Sequence, residues 1–235
     1  MQSYAKCNFK AGIFQDDEEA DERISESHSL IGVLLVDDQP LMRLGLETML
    51  KRGGMSVVLG STESYGEALM FLQHHSVDVI ITEAYAQSEN STLLLEELHK
   101  MQNPPKTIVF TQFRQDELIY QAIRAGAQGY VFKQSSADEL NNAILSVYRG
   151  KSYIHGDVAV RLARRLQIKD YSRRELETIS LIAQGKTNKQ IAATLHLSAH
   201  TVRHYVLDLL EKLNAPDRTG AVTEAFRRGI LAIQD

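Results

Sequence analysis

From residue 31 onward, short charge-free apolar runs alternate with longer amphipathic stretches. The runs fall at 31–36, 57–59, 79–81, 107–110 and 129–132. Continuous apolar runs of this length read as strands buried on both faces. Between them, residues 41–51, 65–74, 91–101, 116–125 and 138–148 place apolar side chains at helical spacing, as in Leu140, Ile144 and Val147. Five successive βα units predict an α/β domain, a doubly wound five-stranded parallel sheet with helices on both faces, over 31–149. Ser136, with Glu139 three residues on, has the spacing of a capping box at the start of the last helix.

After Gly150 the strand pattern stops. Residues 149–169 hold Arg149, Lys151, Arg161, Arg164, Arg165 and Lys169 against one acid, Asp157, and predict a basic linker over 150–169 with some helix around 158–166. From Ser172 only helical periodicity remains, over 173–184, 188–195, 199–213 and 219–230. Ser172 with Glu175 is a second capping-box candidate, and Thr187 and Ser198 are good N-caps. A smaller all-α domain over 170–235 follows.

Composition narrows the class. A chain of 235 residues has room for two small domains. With 43% hydrophobic and 24% charged residues it fits neither wholesale disorder nor a membrane bundle. No stretch approaches the roughly 18 apolar residues that cross a bilayer, so no membrane partner is expected. One cysteine, Cys7, closes no intramolecular bridge and points to a reducing, cytoplasmic setting. The net charge of −4 sits in residues 1–30, where three basic residues face seven acids, and predicts an acidic flexible leader. Residues 168–235 carry ten basic groups against eight acids, the sign suited to a DNA-facing module.

In a doubly wound sheet functional groups gather at the carboxyl ends of the strands. Asp37 and Asp38 end the first strand, Glu83 the third, Thr111 the fourth and Lys133 the fifth. Three carboxylates around one cleft repel unless a cation or the Lys133 ammonium balances them. Either a Mg²⁺ site on Asp37, Asp38 and Glu83 or an internal ion pair is expected.

Segments 33–43, 78–83 and 108–111, with Ala125-Gly126-Ala127-Gln128-Gly129-Tyr130-Val131-Phe132-Lys133, together resemble a response-regulator receiver domain. The resemblance implies that the acid pair helps hold Mg²⁺ and that a third-strand aspartate accepts a phosphoryl group. It also implies that Thr111 and Lys133 contact that group and that Tyr130 reports the switch. This chain has Glu83 at the acceptor position. The extra methylene moves the carboxylate outward by about one bond length, toward Thr111 and Lys133, where a phosphoryl oxygen would sit. Asp78 begins its strand at the opposite end of the sheet and is no substitute. Ordinary aspartyl phosphorylation is therefore not expected. Three readings stay open: Glu83 imitates the charged state by pairing with Lys133 and holding Thr111 inward; the cluster binds metal alone; or the pocket is inert and the domain is a dimerisation scaffold.

In the second half, Ile191, Leu195, Leu197 and Val202 form an apolar corner around a turn at 196–197. Val206, Leu209, Leu210 and Leu213 give the longer helix an inner face. Arg203, His204 and Leu207 then point outward, as a face entering a major groove does. Segments 172–177, 182–192 and 197–205, with Lys212-Leu213, resemble the LuxR-type helix-turn-helix, and joined to a receiver they resemble the NarL/FixJ family. Arg203 can pair with guanine or grip phosphate, His204 can donate or accept, and Leu207 offers apolar contact to a thymine methyl. Lys186, Thr187, Lys189 and Thr201 are placed for phosphates. Leu207, Asp208 and Tyr205 depart from the family's more common residues. The final helix, with Ala221, Val222, Ala225 and Phe226, resembles the dimerisation element, and the same residues could complete the core. A non-enzymatic transcription regulator binding double-stranded DNA as a homodimer is expected. The alternatives are a regulator acting mainly by contact with a partner regulator, and a conventional phosphorylation-switched one.

Overall fold

The computed structural model describes residues 30–86, 89–154 and 156–231, Glu89 by its backbone alone. All but the last residue of the acidic leader predicted over 1–30 lies outside them. The first domain runs β1 (Ile31–Val36), α1 (Pro40–Gly53), β2 (Ser56–Thr62), α2 (Tyr65–Leu72), β3 (Val79–Thr82), a two-stranded antiparallel ladder of β4 (Tyr85–Ala86) and β5 (Glu89–Asn90), and α3 (Ser91–Leu98). It continues through β6 (Lys106–Thr111), α4 (Asp116–Arg124), β7 (Gly129–Phe132) and α5 (Ala137–Tyr148). The five predicted strands are present, parallel and ordered β2-β1-β3-β6-β7.

Period-two alternation places the core on both faces of this sheet. In β1, Ile31, Val33 and Leu35 pack with Leu46 and Leu50 of α1 and Ile144 and Val147 of α5. Leu34 and Val36 of the same strand pack with Tyr65 and Ala68 of α2 and Leu94 of α3. Central β1 is therefore buried at every position, whereas edge strand β2 alternates between buried and exposed residues.

The expectation that strands end before the linker needs correction. Tyr153–Ile154 forms β8, which adds to the sheet beside β7 and makes it six-stranded. Tyr153 and Ile154 are flanked by the polar Ser152 and His155, so a strand this short shows no apolar run; the parallel edge of β7 selects it.

Nor is the linker simply a basic solvated segment. After β8 comes α6 (Asp157–Leu166), and its Arg165 side chain is only 3% exposed. The guanidinium donates to both carboxylate oxygens of Glu117 in α4, to Asp170, and to the Ile168 carbonyl. It also lies over the Tyr120 ring, 4.1 Å from its centroid. Arg161 pairs with Asp116, and Arg124 with Asp170. The basic excess in this stretch is thus partly neutralised by acids of α4 that the charge pattern of the linker alone does not reveal.

The second domain comprises α7 (Arg173–Ala183), α8 (Asn188–Leu195), α9 (Ala199–Leu213) and α10 (Arg218–Arg228) around one apolar core. Ser172 and Thr187 make complete capping boxes with Glu175 and Gln190, and Ser198 caps α9 through the Thr201 amide. The C-terminal end of α10 packs on α4. Gly229 has φ of +80°, and a Cβ there would lie 2.7 Å from the Gln115 Cβ, so both backbone and packing demand glycine.

Truncating Arg165 leaves the Glu117 carboxylate buried without its partner. Arg165→Ala is expected to lower stability by about 3 kcal/mol, and the Glu117→Gln/Arg165→Ala double variant to lose less than the two single losses together. Chemical denaturation of the four proteins in a double-mutant cycle checks this.

Candidate functional sites: a closed carboxylate pocket and a helix-turn-helix face

Parallel register brings four strand ends together. Val36 pairs with Thr82, Thr82 with Val109, and Thr111 with Phe132. The residues that follow β1, β3 and β7, namely Asp37, Glu83 and Lys133, therefore meet with Thr111 at one edge. Backbone bonds from the Asp37, Glu83 and Lys133 amides to Thr62, Val36 and Thr111 carbonyls hold these ends in place.

The Lys133 ammonium lies between two carboxylates, 2.7 Å from Asp37 Oδ2 and 2.5 Å from Glu83 Oε2. All three side chains are buried, none more than 8% exposed. The remaining oxygens also accept: Asp37 Oδ1 from the Gln39 amide and Glu83 Oε1 from the Ala84 amide. Burial alone would lower the lysine's pKa, but the hydrogen bonds it donates to Asp37 and Glu83 outweigh it and hold Lys133 above its ordinary value. It is the cation of the cluster.

Of the predicted pocket residues, Asp37, Glu83 and Lys133 are in direct contact. Asp38 is half-buried beside them. Thr111 is fully buried, but its hydroxyl accepts from the Phe113 amide, while the contacts of the Glu83 carboxylate are Lys133 and Ala84. The expected pairing of Glu83 with Lys133 is present; a Glu83 contact that holds Thr111 inward is not. Tyr130 points inward, 1% exposed, and donates to the Phe113 carbonyl. Burial, reinforced by the nearby Glu83 and Tyr85, pushes its hydroxyl pKa well up, so it stays a donor.

Two residues had escaped the sequence reading. Arg43 of α1 donates to the Asp37 carbonyl and pairs with Glu63, and Tyr65 of α2 donates to the Glu83 carbonyl. Arg43 lies within the segment that carries the resemblance, and its six-residue offset from Asp37 was the available signal. Among the described residues, no three or more His, Cys, Asp or Glu side chains converge as a metal-ligand set. Of the three carboxylates expected to hold Mg²⁺, Asp37 and Glu83 each already give one oxygen to Lys133.

The second site is the outer side of α8 and α9. His196 takes the left-handed conformation at φ of 55° and turns the chain between the two helices, and Ile191 and Val202 are wholly buried at the corner. Leu209 and Leu213 continue the inner face. Arg203, His204 and Leu207 are exposed on the other side, with Asp208 beside them. Lys189 and Thr187 are exposed, and Lys186 is half-buried with its carbonyl held by Arg218. The Thr187 and Thr201 hydroxyls already serve the N-caps of α8 and α9. In α10, Ala221 and Ala225 complete the core, while Val222 and Phe226 remain half-buried.

A flavodoxin-like domain with this strand-end cluster, followed by a four-helix unit with this corner, defines a receiver joined to a helix-turn-helix. Residues 33–145 match the family described as response regulator receiver domain, and residues 169–225 match bacterial regulatory proteins of the luxR family. The chain is 31% identical over 210 residues to the transcriptional regulatory protein LiaR of Bacillus subtilis (strain 168), covering 86% of this chain and all of that one. It is 29% identical over 206 residues to the response regulator protein VraR of Staphylococcus aureus (strain Mu3 / ATCC 700698), covering 86% of this chain and 99% of that one. In fold it is similar to RcsB of Salmonella enterica serovar Typhimurium in its promoter-bound structure, with a TM-score of 0.66 at 20% identity over 86% of this chain and all of that one. The chain belongs to the NarL/FixJ family of response regulators. It is a DNA-binding transcription regulator of the response-regulator type. Among the described residues no helix is long and apolar enough to cross a membrane.

Glu175 provides a pH test of the second domain. Burial would raise its pKa, but Lys212 and the Ser172 cap outweigh burial and hold the carboxyl below the ordinary value of 4.5. The stabilisation it gives is present above pH 4.5 and is lost as pH falls below that value through the depressed folded one. Glu175→Gln is expected to be less stable than wild type at neutral pH and to show a shallower acid decline, read from thermal melts across the acid range.

Proposed function

We propose that this protein binds two-fold-related DNA half-sites as a homodimer and that its receiver is held in a single ion-paired state without aspartyl phosphorylation. The observation that carries the second part is the ion triad: Lys133 bonds to Asp37 and Glu83, and the other oxygen of each carboxylate accepts a backbone N–H. A phosphoryl donor approaching Glu83 would have to displace one of these partners from a buried group. A cation bound through the same oxygens of Asp37 and Glu83 would compete with Lys133. The side chain that would meet a phosphoryl group is already engaged by Glu83, which supports the reading of Glu83 as an internal substitute for that charge. The Thr111 hydroxyl accepts from the Phe113 amide, which limits the likeness to the lysine side of the switch.

For output, Arg203, His204 and Leu207 are proposed to face base edges, and Lys186, Lys189 and the capped N-termini of α8 and α9 to face phosphates. Thr187 contributes through the Gln190 amide it caps, and Thr201 through its own amide, which Ser198 caps. RcsB is solved in complex with DNA, and its fold likeness is compatible with this arrangement.

Incubation with a small phosphodonor and Mg²⁺ is expected to leave both the intact mass and the duplex affinity unchanged. An acyl-phosphate recovered at Glu83 would overturn phosphorylation independence and leave DNA binding standing.

Arg203→Ala is expected to weaken duplex binding by about 1–3 kcal/mol if the side chain reads guanine. Anisotropy titration over a salt series measures this. If wild type and variant both fail to retain any promoter fragment at low salt, regulation by contact with a partner regulator replaces the DNA reading.

A further inference from the structure

On α9 the His204 assigned to DNA also belongs to a histidine pair, and the DNA role does not use it as a pair. His200 and His204, one turn apart, have ring centroids 4.6 Å apart with planes inclined by 67°. Both are exposed. On a helix, side chains four residues apart stand one above the other, with Cβ atoms roughly 5–6 Å apart. Two imidazoles so placed are the paired ligands that helical zinc sites use at the same spacing. Bonds of about 2.0–2.1 Å from one ion to two nitrogens require those nitrogens to be about 3 Å apart. Rings already in edge contact reach this by side-chain rotation, without moving a helix that Val202 and Leu209 anchor at 0% and 1% exposure. Asp208, one turn beyond His204, adds a carboxylate on the same side of the helix.

We propose that His200 and His204 form a two-point chelate for a divalent transition-metal ion of the Zn²⁺, Ni²⁺ or Cu²⁺ class, on the outer side of α9. Water fills the remaining positions, since among the described residues no third ligand converges. Imidazole donors favour these ions over Mg²⁺ or Ca²⁺, which prefer oxygen. Chelation itself depends neither on the DNA reading nor on the receiver pocket. A consequence for DNA does rest on that reading: an ion that engages the His204 ring withdraws it from the groove, so ion and duplex weaken each other's binding by the same factor.

Tag-free full-length protein is titrated with Ni²⁺ and, separately, Zn²⁺ by calorimetry, alongside His200→Ala and His204→Ala. Wild type is expected to bind one more ion than either variant, or to bind it about tenfold or more tightly, because the second ring acts at high effective concentration. Circular dichroism verifies that each variant keeps its helix content. Equal stoichiometry and affinity in all three folded proteins would overturn the site, whatever happens with DNA. Duplex titration then tests the consequence. Zn²⁺ is expected to weaken binding by wild type and to leave His200→Ala unaffected; an equal response of the two proteins would overturn the competition. Failure of both to bind duplex without metal would count against the DNA reading, and the calorimetric result would stand.

Discussion

A single ammonium placed between two buried carboxylates organises the receiver. Lys133 ties the end of β7 to the ends of β1 and β3, so three loops that diverge from the sheet share one charge balance. Each ion pair at this distance is worth about 6 kcal/mol at an effective dielectric near 20, while taking each ion out of water costs several kcal/mol. The two effects are comparable, so the triad's importance lies less in net stability than in position. Removing Lys133 leaves two buried carboxylates uncompensated, which is far costlier than the intact cluster. Glu83 meets Lys133 with one oxygen while its other oxygen accepts from the Ala84 amide. Arg43 and Tyr65 then hold the backbone carbonyls beside the two carboxylates.

A second buried cation, Arg165, links the receiver to its output domain. It joins Glu117 of α4, Asp170 before α7 and the Tyr120 ring. On the other side of this seam, Lys212 of α9 bonds to the Asp170 carbonyl and to Glu175. The seam is polar compared with the apolar cores on either side. It also buries the Gln115 Oε1 and Arg161 Nε atoms without hydrogen-bond partners. Such groups weaken docking relative to a dry, matched interface. The end of α10 rests on α4 while the outer face of α9 stays exposed. A dimer built through α10 and docking of α10 on α4 therefore draw on the same helix.

Most of the architecture was legible because its signals are local. Strand runs and helix stripes placed the five central strands and ten helices with end errors of a few residues, and the Ser172, Thr187 and Ser198 caps fell where their spacing put them. The strand-end acids were legible for a different reason: parallel βα units return every strand end to one edge. What stayed hidden was non-local. Tyr153–Ile154 becomes a strand only because β7 offers an edge. Arg165 looks like one more linker cation until Glu117, 48 residues earlier, is brought beside it. The Thr111 hydroxyl illustrates the same limit within the pocket, since Phe113 competes for it two residues away and no spacing rule chooses between that amide and Glu83.

Separation of inner and outer duties on α9 makes its departures from the family pattern intelligible. The inner residues Val202, Leu209 and Leu213 are buried and cannot change without opening the core. The outer residues carry no such constraint, so Leu207, 52% exposed, and Asp208 are free to alter contact chemistry without unfolding the domain. Their direction is toward fewer favourable phosphate contacts, because leucine donates no hydrogen bond and aspartate repels the backbone. Weakness in one module matters less when two are joined. Once one half-site is held, the second binds as an intramolecular event at high effective concentration. In the proposed homodimer, a recognition face of modest strength would make occupancy depend on pairing two chains, and half-site spacing would add selectivity that a single α9 does not provide.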